Sequence, residues 1–191
     1  MTGMNHPSDA DALHESLVEP TRFTVVYERH RPAVARYLRR RAGDDAAEDL
    51  TAEVFVRAFR ARSRYHAQYD TALPWLLGIA TNTIADHRRT ERRRLATLER
   101  VVGGEASQAD DPVATVDPAL VRALRRLRAG DRDALLLVVW GELSYEEAAT
   151  ALAVPIGTVR SRIARARRRL AVDLQGEPDH QASCVTGEAH A

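Results

Sequence analysis

At 191 residues the chain is long enough for one ordinary domain or two small ones. A hydrophobic content of 45% supports packed cores, and aromatics at 5% leave those cores mostly aliphatic; modest glycine and proline favour an all-α protein over a sheet fold. No apolar run reaches the length of a membrane span, and the single Cys184 excludes an intramolecular disulfide framework and fits a reducing cytoplasm.

The net charge of +1 conceals a segregation along the chain. Residues 1–20 carry four acids and no arginine, whereas 21–94 carry 16 arginines against 9 acids. Residues 95–117 carry one arginine against five acids, 118–170 carry 11 against five, and 171–191 carry four acids and no arginine. Two basic blocks, separated and flanked by acidic segments, predict two separate contacts with nucleic acid. All 28 basic residues are arginine. That suits phosphate and guanine recognition, although a GC-rich coding sequence produces the same bias and carries more weight here.

In chain order, residues 1–20 form a polar acidic extension, unlike a signal peptide and expected to be disordered. Phe23, Val26 and Tyr27 begin an apolar stripe; Pro32 opens a further turn, and Val34, Tyr37 and Leu38 continue to Gly43. Over 45–60, Ala47, Leu50, Val54, Phe55 and Ala58 share one helix face while Asp49 and Glu53, four residues apart, share another. No histidine or cysteine stands at ligand spacing to those carboxylates, so they predict a surface for a basic or amide-rich protein partner rather than a metal or acid–base site. A polar loop at 62–70 leads into a helix from about Thr71 to Arg94. Its core face is Leu73, Leu76, Leu77, Ala80 and Ile84, and five arginines crowd residues 86–94. Cations suit a helix C-terminus, but five exceed that need and predict a phosphate-tracking surface.

Residues 95–116 read as an acidic linker, with GGEASQADDP at its centre. Asp117–Pro118 caps and opens the next helix, whose apolar positions run to Leu127 with Gly130 as the stop. The helix Arg132 to Trp140 is almost wholly apolar and predicts a buried floor, with Trp140 in the core. Upon it sits SYEEAATALAVPIGTVRSRIARARRRL, residues 144–170. Ser144 and Glu147 form a capping box, Pro155 marks a turn, and Val159, Ile163, Ala166 and Leu170 make one stripe of a second helix. Ser161, Ala164, Arg165 and Arg168 lie roughly opposite that stripe, with Arg160 on its flank. This is a helix-turn-helix whose second helix is built for the DNA major groove. The expected architecture is therefore all-α: two small helical domains joined by a flexible linker, the C-terminal one a helix-turn-helix.

The strings AEDLTAEVFVRAFR, PWLLGIATNTIADHRR and ELSYEEAATALAVPIGTVRSRIARARRRL resemble the bacterial extracytoplasmic-function (ECF) sigma factors. The resemblance covers residues 21–94 as region 2 and 117–170 as region 4, with no region 3 between them. It implies a dissociable subunit of RNA polymerase that directs promoter-specific transcription initiation in the cytoplasm, without catalysis or cofactor. Asp49 and Glu53 match positions that meet the clamp helices of the polymerase's largest subunit. Region 4 is expected to reach the flap of the second-largest subunit. Arg62, Arg64 and Tyr65 of the loop, with Asn82, Arg88 and Arg89, are implied at the minus-10 element, where a base is flipped. Tyr145, Glu146, Thr158, Arg160, Ser161 and Arg165 are implied at the minus-35 element, and Arg167 on backbone phosphate. An anti-sigma protein partner is also implied. Two departures stand out: Ala52 replaces a glutamine the family often carries, and Ala153 replaces its usual glycine. A left-handed Ala153 would cost about 1–2 kcal/mol.

Two other functions fit less of the chain. An autonomous helix-turn-helix regulator explains the C-terminal block only. A metal hydrolase built on Asp86–His87 or on the carboxylates between Asp44 and Glu53 lacks a second histidine cluster. His180, Cys184 and His190 fall within a polar tail, 171–191, that lacks apolar residues to fold around a metal and is expected to be disordered.

Overall fold

The computed structural model of the chain describes residues 7–102 and 117–175. Its first helix, α1 (Asp9–Glu15), lies inside the segment expected to be disordered. Ser8 caps it by accepting a hydrogen bond from the Asp11 N–H, and Ala12 and Leu13 are buried. Asp9 explains the order. Its carboxylate, 1% exposed, accepts from the Arg29 guanidinium, from His30 Nε2 at 2.5 Å and from the Ala72 N–H at 2.7 Å. Burial opposes its charge, but the hydrogen bonds from His30, Ala72 and Arg29 prevail and hold the carboxyl at about 2.

Helices α2 (Phe23–Ala42), α3 (Asp44–Ala61) and α4 (Leu73–Val102) complete the first unit. Their apolar positions recur every three or four residues, and Val26, Val34, Tyr37, Leu38, Val54, Leu76, Leu77 and Ile84 are fully buried or nearly so. Pro32 lies within α2, which runs unbroken to Ala42. The corner between α2 and α3 is one residue, Gly43, at φ 81°, a left-handed value that favours glycine. Helix α4 continues eight residues past Arg94 into the segment expected as linker. LATLERVV holds no proline or glycine, and the paired Gly103–Gly104 comes only after it.

The second unit is α5 (Pro118–Arg126), α6 (Ala129–Val139), α7 (Tyr145–Leu152) and α8 (Ile156–Gln175). Asp117 caps α5 through the Ala119 N–H at 2.8 Å. Gly130 does not end α5; it sits in the first turn of α6, because Leu127 has already turned extended. As expected, α6 is the floor, with Ala134 to Leu137 buried. Trp140 is half-buried against that core. The capping box of α7 is present in full, and Ala153 is left-handed at φ 51°, ψ 45°. Helix α8 extends five residues beyond Leu170.

The two units dock on each other. Gly78 of α4 lies against α7, where an added Cβ would meet the Ala151 carbonyl oxygen at 2.4 Å. Arg41, 2% exposed, donates to Asp133 of α6 at 2.7 Å. The Tyr69 and Thr150 hydroxyls are 3.3 Å apart, and the Thr150 hydroxyl donates to Gln68 at 3.0 Å. One continuous hydrophobic cluster therefore runs through both units. No described helix is long and apolar enough to cross a membrane.

Candidate nucleic-acid interface

The stripe predicted for α8 is the buried one. Val159, Ile163 and Ala166 are at most 2% exposed and Leu170 is half-buried. The opposite face is left to solvent: Arg160, Ser161, Ala164, Arg165, Arg167 and Arg168 are all exposed. Ser161 turns its hydroxyl back to the Thr158 carbonyl at 2.9 Å. At the start of α7, Glu146 is exposed while Tyr145 is half-buried, packed against the core. Ala148, Ala149 and the left-handed Ala153 let α7 approach α8, which sets the angle at which α8 is presented.

Arg165 is not a free side chain. It forks onto Asp131 at the start of α6, donating through Nη2 at 2.8 Å and Nε at 3.2 Å. The hydrogen bond from Arg165 holds the Asp131 carboxyl below the usual carboxylate range, and the same bond raises the Arg165 guanidinium. Arg169 pairs with Asp173 one turn away at 3.2 Å.

The residues expected at the minus-10 element are less uniform. Arg64 and Asn82 are exposed, and Arg89 is exposed beside Asp86 at 3.1 Å. Tyr65 is half-buried, its ring 5.1 Å from Trp75; burial, then the charge of Asp9, pushes its phenol up. Arg62 turns inward. Its guanidinium lies 3.7 Å from the Phe59 ring centre and donates to the Phe59 and Ser16 carbonyls. Arg88 likewise donates to the Arg41 carbonyl at 2.8 Å. Arg62 and Arg88 are thus half-buried, each with its guanidinium bonded to a backbone carbonyl. Asn82 sits one turn from Gly78, so the exposed side of α4 runs directly into the seam with α7.

On α3, Asp49 is exposed at the centre of the outward face. Glu53 accepts from Arg57 at 2.7 Å, and Arg57 also donates to Asp86 at 2.8 Å. The bond from Arg57 depresses the Asp86 carboxyl, which belongs to an ion-pair network with Arg57 and Arg89. Among the described residues, no three His, Cys, Asp or Glu side chains are placed to hold a metal ion. His180, Cys184 and His190 lie outside the described residues.

The family profile Sigma-70 region 2 matches residues 26–94, and Sigma-70, region 4 matches 118–170. The ECF RNA polymerase sigma factor SigC of Mycobacterium tuberculosis is 39% identical over 141 residues, 70% of this chain and 72% of SigC. The chain is an ECF RNA polymerase sigma factor. SigL of the same organism is 33% identical over 166 residues, covering 82% of this chain and 91% of SigL. Among solved structures, the sigma factor RpoE of Bartonella quintana, in complex with the anti-sigma factor NepR, matches with TM-score 0.54 at 25% identity, over 84% of this chain and 99% of that one. CnrH, solved with the cytosolic domain of CnrY, shares the fold at TM-score 0.62 and 22% identity, over 90% and 100% of the two chains.

As a sigma factor the chain directs promoter-specific initiation by RNA polymerase, and the autonomous-regulator reading is not the favoured one. Its region 2 comprises most of α2–α4 and its region 4 comprises α5 and most of α8, with α6 and α7 between them. Sequence reasoning missed the residues that knit the sigma factor together. Asp131 reads only as an acid suited to a helix N-terminus, and nothing local ties it to Arg165. Gln68, Tyr69 and Thr150 carry no motif signal, and Gly78 reads as an ordinary mid-helix glycine.

Proposed function

We propose that this sigma factor binds core polymerase through the outward face of α3, with Asp49 and Glu53 against the clamp helices of the largest subunit, and reaches the flap of the second-largest through region 4. The N-terminal half of α8 reads the minus-35 element: Arg160, Ser161 and Arg165 face base edges, Thr158, Tyr145 and Glu146 border them, and Arg167 meets phosphate. Arg64, Tyr65, Asn82 and Arg89 meet the minus-10 element. Arg62 and Arg88 hold the loop and α4 in place for them. The work is done in the cytoplasm. An anti-sigma protein as partner is supported by the solved RpoE, which is held by NepR.

The observation that carries this reading is the α8 surface: a run of exposed arginines on the face opposite a fully buried stripe. Replacing Arg165 by alanine is expected to cost about 1–3 kcal/mol at the preferred minus-35 sequence and to relax discrimination there. The check is binding of reconstituted holoenzyme to every single-base variant of that element. Uniform loss across all variants would place a different face of α8 in the groove.

The docked arrangement supports a second feature of the reading. The minus-10 and minus-35 elements lie about 25 base pairs apart, roughly 85 Å of B-DNA. A 20-residue helix such as α8 is only about 30 Å long, and Tyr69 touches Thr150 directly. The two units must therefore part before both elements are engaged, and polymerase supplies the spacing.

A further inference from the structure

The pair formed by Arg165 and Asp131 goes beyond docking one helix on another. Asp131 stands in the first turn of α6 with its side chain 9% exposed, whereas the Arg165 side chain is 45% exposed on the DNA-facing side of α8. The carboxylate takes one defined edge of the guanidinium, the Nε–H and one Nη2–H, at 3.2 and 2.8 Å. A guanidinium has five N–H donors in a rigid fork. With that edge occupied, the Nη1–H and the remaining Nη2–H are left as a parallel pair at the far end. That pair matches the O6 and N7 acceptors of guanine in the major groove.

We propose that Asp131 is a positioning residue for promoter reading: it locks the Arg165 guanidinium so that its far end meets a guanine of the minus-35 element. The proposal rests on the reading that Arg165 faces base edges. The lock removes rotamer freedom that a long side chain would otherwise lose on meeting DNA, which favours binding by preorganisation. It also selects among bases, because a guanidinium held at one edge cannot swing toward phosphate or toward the N4 side of a cytosine. The buried Asp131 carboxylate needs a cationic partner, but a single bond would meet that need; the two-point fork onto an exposed guanidinium fixes the orientation of Arg165 as well. Arg128 and Arg162 also act on Asp131 through their charge. Neither makes the two-point contact that Arg165 makes.

The test is a binding series with reconstituted holoenzyme over all single-base variants of the minus-35 element, for Asp131→Ala, Asp131→Asn, Arg165→Ala and the double variant Asp131→Ala/Arg165→Ala. Asp131→Ala is expected to lose about tenfold in preference for guanine at one position, the same position at which Arg165→Ala loses it. In the double variant the aspartate change adds nothing. Asp131→Asn keeps one acceptor and falls between, and it carries the test should the alanine variant not fold by circular dichroism. If Asp131→Ala shifts affinity for every sequence alike, or adds its effect to that of Arg165→Ala, the carboxylate is only a brake on DNA binding or a clamp between helices, and the proposal is overturned. If Arg165→Ala itself changes all sequences alike, the reading of α8 falls first and the proposal falls with it.

Discussion

The promoter surfaces of the two units differ in how much of them the chain itself covers. The α8 face of region 4 is open along its length, with a single arginine anchored from behind by Asp131. In region 2 the loop after α3 is hydrogen-bonded to α7 through Gln68 and Tyr69, and the α4 face bearing Asn82 starts beside Gly78 at the seam. On the proposed reading, region 4 is ready to meet DNA, and region 2 is reached by parting the halves. The seam combines a close helix approach at Gly78, polar bonds from Gln68 and Tyr69 to Thr150, the buried Arg41–Asp133 pair and a hydrophobic cluster continuous between the units. Parting it therefore exposes apolar surface that a partner must cover.

Reversing Asp49 and Glu53 to arginine tests the surface that polymerase would use, and is expected to have the largest effect: loss of core binding in a pull-down, with helicity retained. Glu53→Arg also breaks the pair with Arg57, but exposed pairs of this kind contribute only about 0.2–1 kcal/mol, so the fold is expected to hold. Wild-type capture by the double variant would remove α3 from the account.

Gly78→Leu attacks the seam. Its Cβ would enter the Ala151 carbonyl, and overpacking of this kind typically costs about 1–3 kcal/mol. The ratio of docked to parted form should fall roughly 5- to 150-fold, read as a longer distance between labels on α4 and α8 and as stronger binding of the free chain to single-stranded minus-10 DNA. An unchanged distance with unchanged binding would mean that the seam does not cover region 2.

Asp9→Asn sharpens the description of region 2 from the other side. Hydrogen bonds hold the folded Asp9 carboxyl at about 2, below the ordinary 3.8. A depressed pKa contributes stability that is present above the unfolded value and lost as pH falls through the folded one. The variant should be less stable by about 2 kcal/mol near neutral pH, and the gap should close between about pH 4 and pH 2 in thermal melts. The smallest effect is expected from Arg169→Ala on the flank of α8: uniform weakening across sequences and a salt slope flatter by about one ion.

How much of this was legible in the sequence depended on the range of the signal. The capping box at Ser144, the cap at Asp117 and the stripe of α8 are written within a few residues, and each appears where the sequence put it. The left-handed Ala153 was legible only in part: the departure from the family's glycine marks the position, but sequence alone leaves open whether alanine takes that conformation or the turn is made differently. The order of α1, the docking of α4 on α7 and the locking of Arg165 were not legible. They rest on Asp9 meeting Ala72, Gly78 meeting Ala151 and Asp131 meeting Arg165, pairings that no helical period encodes. Arg62 and Arg88 show the same limit. Their positions marked them as cationic, but not that Arg62 packs on Phe59 or that Arg88 bonds the Arg41 carbonyl, which leaves both half-buried.

The measurement that tests the central claim most directly is run-off transcription by core polymerase over a library of promoters, with and without the chain, alongside DNA binding by the chain alone. The account predicts transcripts from a restricted promoter set only when core and chain are both present, weak DNA binding by the free chain, and loss of the transcripts with the Asp49→Arg/Glu53→Arg variant. Tight binding of a free dimer to a palindrome, with transcription unchanged by that variant, would contradict it.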